Sequence, residues 1–500
     1  MRLLTRSQSQ TVDQLAQEEY GLDSETLMES AGAAVAEEVH LIVKEKKKRI
    51  LILIGPGNNG ADAFVVARLL KRKGFQNIHC VLILPAANPS ALWKKQKDRA
   101  QVSEIHAIEA SEEKMQIEIS EADYIIDGVF GTGLNRTIPT QVSRLFELIN
   151  RKNKMVIAID APSGLNVDTG WPQDLALKAQ ITVTFGLCKP GFYLAKGPSY
   201  CGRIKRYGIG FPDSLLKSQA QTHFAFGARS AARLMPKRPN FSHKGTYGHV
   251  EIVGSSVHYP GAGILASKAA GRAGAGYVSL LSFGSLFSDI VKLPEVIYQN
   301  LLEVPFQPNQ KHAFVVGPGL GGDQAEKVLA VIQKLIKAKI SHVLLDADAL
   351  NVISDQKEIS FPPAWVLTPH PGELSRLMNV SAEQINRDRS AWAIRAAQKY
   401  GCIVCLKGFR TVVATSKKSV IVLSGNSSLS KAGAGDVLSG IIGAFLAQGL
   451  DSLEATLLGV YLHGRVADEW VRSGKDKISL LPSDLIDLMP QVSQKIRDQV

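Results

Sequence analysis

Hydrophobic residues along this chain gather in short runs that are apolar at nearly every position instead of alternating with polar ones. In the first half the runs fall at residues 49–55, 78–84, 124–127, 155–160 and 181–185, with segments of helical character between them. A strand that is apolar on both sides must be covered on both faces, which predicts a parallel sheet between two helix layers, the doubly wound α/β arrangement. One covering helix is predicted around 26–43, where Leu27, Met28, Ala31 and Val35 recur on a single side. Between residues 210 and 244 the periodic signal weakens, and Pro212, Pro236 and Pro239 appear among serines and basic residues, so a boundary is expected there. A second α/β series follows at 249–254, 277–282, 313–317, 342–346, 364–368 and 403–407, and no internal repeat relates the halves. The predicted organisation is two α/β domains, residues 1–215 and 225–500.

Composition narrows this picture. A chain of 500 residues is long enough for two full cores. No run approaches the roughly 18 uninterrupted apolar residues of a membrane helix, and the most apolar helical stretch, 437–450, is cut by glycines and Gln448, so it reads as a buried helix. The amino terminus is polar and lacks the apolar segment of a secretory signal, and the five cysteines are scattered, which together point to the reducing cytoplasm and away from a disulfide framework. Cys402 and Cys405 lie three apart in an apolar strand, face opposite ways and read as core thiols. The net charge of +12 suits acidic ligands. No long basic block interleaved with aromatics occurs, which favours small phosphorylated ligands over nucleic acid.

The first candidate chemistry follows the strand at 49–55. Gly55, Gly57 and Gly60 form G-x-G-x-x-G between a strand and a helix predicted from Ala61, where backbone N–H groups and a helix terminus bind phosphate. A hydride-transferring dinucleotide enzyme would place an acid about 20 residues on; here the next strand ends Leu84-Pro85-Ala86-Ala87, so that reading is disfavoured. Two more strand ends pair a carboxylate with a glycine turn, Asp127-Gly128 leading into Gly131-Thr132-Gly133, and Asp160-Ala161-Pro162-Ser163-Gly164. Singly, such residues also serve as turn or helix caps. With Leu27-Met28-Glu29-Ser30-Ala31-Gly32 upstream, these segments resemble NAD(P)H-hydrate epimerase over roughly residues 1–215. The resemblance implies a Rossmann-like three-layer sandwich of the YjeF amino-terminal type. It implies that the hydrated cofactor is held by Asn58, Asn59, Gly60, Ala61 and Asp62 together with Gly131, Thr132, Gly133, Leu134, Asn135, Arg136 and Thr137. It further implies a potassium ion on oxygens of Asn59, Asp127 and Ser163, and Asp160 as the carboxylate that shuttles a proton while the ring carbinolamine opens and recloses. Ala61 and Ala63 depart from the family by standing where glycine is usual.

The strongest single pattern is Ala432-Gly433-Ala434-Gly435-Asp436-Val437-Leu438-Ser439-Gly440, glycines that open a long apolar helix with an acid in its first turn. Amides there can cradle a transferring phosphoryl group and the carboxylate can take a proton from an attacking hydroxyl, although an acid in a first turn also simply complements the helix dipole. The pattern is that of ribokinase-like phosphotransferases. Lys244-Gly245-Thr246-Tyr247-Gly248-His249, Gly317-Pro318-Gly319, Asp346-Ala347-Asp348, Thr368-Pro369-His370-Pro371-Gly372-Glu373 and Leu406-Lys407-Gly408 occur in order, and together they resemble NAD(P)H-hydrate dehydratase across about 225–495. The resemblance implies that Ala262, Gly319, His370 and Asp436 contact the hydrate and that Lys407, Gly408, Phe409, Arg410, Thr411 and Gly435 hold the nucleotide, with Asp436 as the base. His370 and Glu373 read as part of a turn without a third ligand, which argues against zinc, and Asp346 and Asp348 read as structural.

The whole chain is then expected to repair hydrated nicotinamide cofactor, NAD(P)HX, at the expense of ADP, with Mg2+ on the nucleotide phosphates. ADP rather than ATP rests on the fusion of both activities in one polypeptide. The expected partners are small molecules and further copies of the chain in a homo-oligomer, with neither nucleic acid nor membrane. Two rivals stay open: a ribokinase-like small-molecule kinase with a noncatalytic companion domain, and a nucleotide-binding regulator without catalysis.

Overall fold

The computed structural model describes residues 1–84, 88–134, 137–283, 293–303, 311–356 and 358–499. Residues 85–87, Asn135 and Arg136 therefore lie outside the described residues. The chain divides into two compact units, Arg2–His223 and Phe224–Val500.

In the first unit the parallel sheet runs in the order Ala107–Glu109, Ile78–Leu82, Ile50–Ile54, Tyr124–Gly128, Met155–Ile159, Ile181–Phe185 and Arg203–Tyr207. Strand side chains alternate between faces, so Ile50, Ile52 and Ile54 enter one apolar layer with Val35 and Phe64, while Leu51 and Leu53 enter another with Phe146 and Val156. That two-sided burial is why the strand shows no polar alternation. The outermost strand, Arg203–Tyr207, carries three basic residues and escapes a search for apolar runs.

The order in which strands are added reverses between Ile50–Ile54, whose next strand lies on one side, and Tyr124–Gly128 on the other. Such a switch point opens a crevice at the carboxyl ends of the strands. The helix entering it is Asn58–Arg72 rather than one beginning at Ala61, so Asn58, Asn59 and Gly60 form its first turn with Gly57 as its cap. Gly60 could be no other residue without disruption, because a Cβ there would lie 1.9 Å from the Gly55 carbonyl oxygen.

The second unit repeats the principle with a different order: Ser419–Val422, Val412–Ala414, Ile403–Leu406, Val366–Leu367, Val343–Leu345, His312–Val316, His249–Val253, Tyr277–Ser282 and Ile297–Asn300. The strands are parallel from Ile403–Leu406 onward, and the first two form an antiparallel extension. Its switch point lies between His249–Val253 and His312–Val316. The helix Ala434–Ala447 is buried along almost its whole length. Its glycines permit that burial: a Cβ on Gly440 would stand 2.1 Å from the Ala266 carbonyl oxygen of helix Pro260–Arg272, and one on Gly443 would stand 2.6 Å from Val315. Among the described residues no helix is long and apolar enough to cross a membrane, and all five cysteines are buried and free.

Candidate functional site

The crevice of the first unit holds a cavity of about 570 Å³. Asn58, Asn59, Asp62, Gly131, Thr132, Gly133, Leu134 and Asp160 all line it. Gly60 and Ala61 are buried in the packing of the helix, and Thr137 is exposed. Asp160 sits just past strand Met155–Ile159 with φ +59, an unusual backbone state for a non-glycine residue and one found at functional positions. Its Oδ1 accepts from Lys189 Nζ at 2.7 Å, Thr184 Oγ1 at 3.0 Å and the Phe185 amide at 3.4 Å. Burial alone would raise this carboxyl, but the Lys189 charge and these donors outweigh it and hold it below its usual value.

Two acids face the same cavity and move the other way. Burial, then the Asp160 charge, raises Asp13 to about 6 against the pull of Lys189. Asp62 is raised well above the ordinary range by burial and by Asp160 and Asp13. One ionised carboxylate beside protonatable ones is the division of labour that acid–base chemistry needs. Asp13 and Lys189 were not found from sequence. Asp13 belongs to the amphipathic helix Arg6–Glu18 and reads as one more polar face residue, and Lys189 reaches Asp160 from beyond the next strand.

Asn59, Asp127 and Ser163 form a neighbouring polar group, and all three are buried. Ser163 donates to Asp127 from Oγ at 2.5 Å and from its amide at 2.8 Å, and the Val129 amide adds a third bond at 3.2 Å. With only these neutral donors, burial pushes Asp127 up to about 6. The Asn59 side-chain nitrogen is buried without a hydrogen-bond partner.

In the second unit Asp436 stands in the first turn of Ala434–Ala447, which follows Gly433 at φ +89. A charge cluster lies beneath it. Asp346 is buried at the end of strand Val343–Leu345, bonded to Lys407 Nζ at 2.5 Å and to Ser439 Oγ at 2.7 Å, and Glu373 lies 3.7 Å from Lys407. Burial opposes both charges of the Asp346–Lys407 pair, but mutual attraction prevails, lowering the acid and raising the lysine. Asp436, which has no ion-pair partner among the described residues, is raised to about 7 by burial and by the Asp346 charge, partly countered by Lys407.

Asp346 is thus part of the site's electrostatics, a role its place in the sequence concealed. Asp348 is not on a strand at all; it opens helix Asp348–Ser354 and accepts from the Gly321 amide at 2.9 Å. The segment after Thr368 is likewise no mere turn. His370 caps helix Pro371–Met378, taking the Gly372 amide on Nδ1 at 2.9 Å, while Glu373 accepts from the His370 amide at 2.7 Å. Gly319 and Ala262 adjoin across the switch point, since a Cβ on Gly319 would lie 2.7 Å from that of Ala262. Among the nucleotide candidates, Lys407 is committed to Asp346, Gly408 and Arg410 have positive φ, Phe409 is half-exposed, and Thr411 donates to the Gly408 carbonyl at 2.9 Å.

Comparison with known proteins agrees with this division. The YjeF-related protein N-terminus family matches residues 24–191 and the NAD(P)H-hydrate dehydratase family matches residues 250–491. The bifunctional NAD(P)H-hydrate repair enzyme of Moorella thermoacetica is 32% identical, covering 100% of this chain and 98% of its own. This chain belongs to the bifunctional NAD(P)H-hydrate repair enzymes. The Escherichia coli repair enzyme is 33% identical over 96% of this chain and 92% of its own. Among solved structures, the ADP/ATP-dependent NAD(P)H-hydrate dehydratase of Bacillus subtilis, co-crystallised with ATP and Mg2+, is 30% identical with a TM-score of 0.50, covering 55% of this repair enzyme and 98% of its own chain.

Proposed function

We propose that the first unit interconverts the R and S epimers of NAD(P)HX and that the second dehydrates the S epimer to NAD(P)H, turning ADP into AMP and phosphate. The observation that carries this reading is the place of the Asp436 carboxylate in the first turn of a buried glycine-led helix, where burial raises it to about 7. A base is most effective when its pKa matches the working pH.

Hydroxide is a poor leaving group at ring carbon C6. Asp436 takes the proton of that hydroxyl as its oxygen attacks the terminal phosphorus of ADP, and AMP departs. The ring nitrogen lone pair then expels phosphate, and loss of the C5 proton restores the dihydropyridine. Gly435 and the helix amides around it receive the phosphoryl oxygens, while Ala262, Gly319 and His370 seat the ring and Lys407, Gly408, Phe409, Arg410 and Thr411 hold the nucleotide. The nearest carboxylates, Asp346 and Glu373, are taken up by Lys407, so Mg2+ fits as a companion of the nucleotide, where it supplies neutralisation of phosphate charge.

In the first unit Asp160 is the proton-shuttling group and Asp13 the neighbouring acid raised to about 6, in a cavity lined by Asn58, Asn59, Asp62 and Gly131 to Leu134; Asn135, Arg136 and Thr137 are assigned to the substrate by family resemblance alone. Oxygens of Asn59, Asp127 and Ser163 suit K+: they are buried, and Asp127 has no cationic partner among its hydrogen bonds.

Gly435→Ala tests the phosphoryl cradle. Its Cβ would stand 3.7 Å from Lys407 Nζ and 3.9 Å from Asp346 Oδ2, both ordinary contacts, so folding should be unaffected. The added methyl group crowds the helix mouth, and kcat/KM for the nucleotide is expected to fall roughly tenfold to a hundredfold. An unchanged value with an unchanged melting temperature would move the phosphate elsewhere. The assignment as a whole is tested by supplying mixed NADHX epimers with ADP or ATP and following the near-ultraviolet absorbance of the reduced ring. Full recovery is expected; recovery of the S fraction alone would remove the epimerase, and none would leave a kinase or a regulator.

A further inference from the structure

The amino-terminal edge of the second unit's sheet carries a second constellation, at the opposite ends of the strands from Gly254 and Gly317. His249 opens strand His249–Val253 and His312 opens strand His312–Val316, and the two are paired directly in register. Glu251, two residues along, shares the face of His249, and its own register partner is Ser279. Parallel pairing therefore sets two imidazoles, a carboxylate and a hydroxyl on one patch of one sheet face.

The side chains converge. His312 Nδ1 lies 2.9 Å from Glu251 Oε1, His249 Nε2 lies 2.7 Å from Ser279 Oγ, and the two imidazole centroids are 5.1 Å apart. One donor atom from each of His249, Glu251 and His312 falls within 4.8 Å of the others. Ligands at about 2.0–2.2 Å in a tetrahedral shell stand roughly 3.3–3.5 Å from one another, a spacing these rotamers reach with small adjustments. A separate observation points to a ligand here. The Glu251 side chain is only 8% exposed, and its Oε2 is buried with no hydrogen-bond partner. A hydrogen-bonded His–Glu pair accounts for Oε1 and leaves that oxygen unexplained.

We propose that His249, Glu251 and His312 bind a divalent transition-metal ion, Zn2+ in the first instance, with Ser279 or water in the fourth position. Two imidazoles with one carboxylate select a borderline metal over Mg2+ or K+. His312, with 28% of its side chain exposed, provides the way in. An ion so placed ties two neighbouring strands together at the end of the sheet away from Asp436, so its effect is on stability and not on turnover.

The test uses the full chain, stripped by chelator and kept free of nucleotide, titrated with Co2+ and then Zn2+. The expected result is the visible absorption of low-symmetry Co2+ saturating at about one equivalent, its displacement by Zn2+, and a Zn2+-dependent rise in melting temperature. His249→Gln and His312→Gln should each weaken uptake about tenfold or more. Should either variant fail to fold, Glu251→Gln keeps the side-chain volume and carries the same comparison, and Co2+ broadening of the His249 and His312 ring protons reads the wild-type site directly. No Co2+ uptake, or equal uptake by wild type and the double histidine variant, overturns the proposal. No readout involves turnover, so that failure would leave the repair reading standing.

Discussion

Asp436→Asn is expected to cut S-epimer dehydration by about 10²- to 10⁴-fold, the usual worth of a positioned general base, while nucleotide still binds and the fold persists. The wild-type pH profile carries the same information. Asp436 acts as the carboxylate and its value is raised to about 7, so kcat/KM should climb with pH up to about 7 and then level off, and activity is lost as pH falls through that value. The variant should lack this limb. Stability offers the control. A raised carboxyl is disfavoured in its ionised form by the fold, so the cost of ionisation sets in as pH passes the unfolded value and is complete above about 7. Above that pH the asparagine variant should melt no lower than wild type. Thermal melts beside single-turnover kinetics check both statements; dehydration retained by the variant, or a wild-type profile flat across neutrality, would take Asp436 out of the reaction.

What the sequence made legible followed from burial. Strands such as Ile50–Ile54 and His249–Val253 announce themselves because both faces are covered, and the three glycine-rich strand ends could be read as one edge because parallel strands deliver their carboxyl ends together. The helix Ala434–Ala447 was recognisable as buried since its glycines make sense only against close neighbours. Three kinds of feature were hidden. Val412–Ala414 and Ser419–Val422 are short buried antiparallel strands without the long apolar run of the central ones, and Arg203–Tyr207 is an edge strand carrying three basic residues. The helix at Asn58 starts earlier than expected because Gly57 leads into it without any side-chain cap, and the helix at Pro371 was read as a turn because a histidine does the capping that serine or aspartate more often does. Long-range electrostatics was the third: Asp346 and Lys407 are 61 positions apart, and nothing local to either says that they neutralise each other. The same holds for Asp13, whose meaning depends on a carboxylate it meets only in the folded chain.

Asp160→Asn should abolish interconversion of the R and S hydrates and leave dehydration of the S epimer intact, because the two reactions belong to different units. Given mixed epimers, the variant should then consume the S fraction and stop, a plateau visible in the reduced-ring absorbance. Lys189→Met sharpens the argument by keeping the carboxylate and removing what holds it ionised. The Asp160 carboxyl lies below its ordinary value chiefly through Lys189, against burial that pushes it up. A group so lowered keeps its charge until the pH falls through its folded value. Without the lysine, burial prevails and the value rises, so epimerisation in Lys189→Met should be weak at neutral pH and recover as pH increases, while Asp160→Asn recovers at no pH. Lys189 also restrains Asp13, so its removal acts on both acids, and the Asp160→Asn comparison isolates the part due to Asp160. Epimer ratios followed by chromatography across pH separate the outcomes: a Lys189→Met profile unshifted from wild type would show that Asp160 does not owe its charge to Lys189, and interconversion surviving in Asp160→Asn would assign the proton transfer to another of the acids facing the cavity.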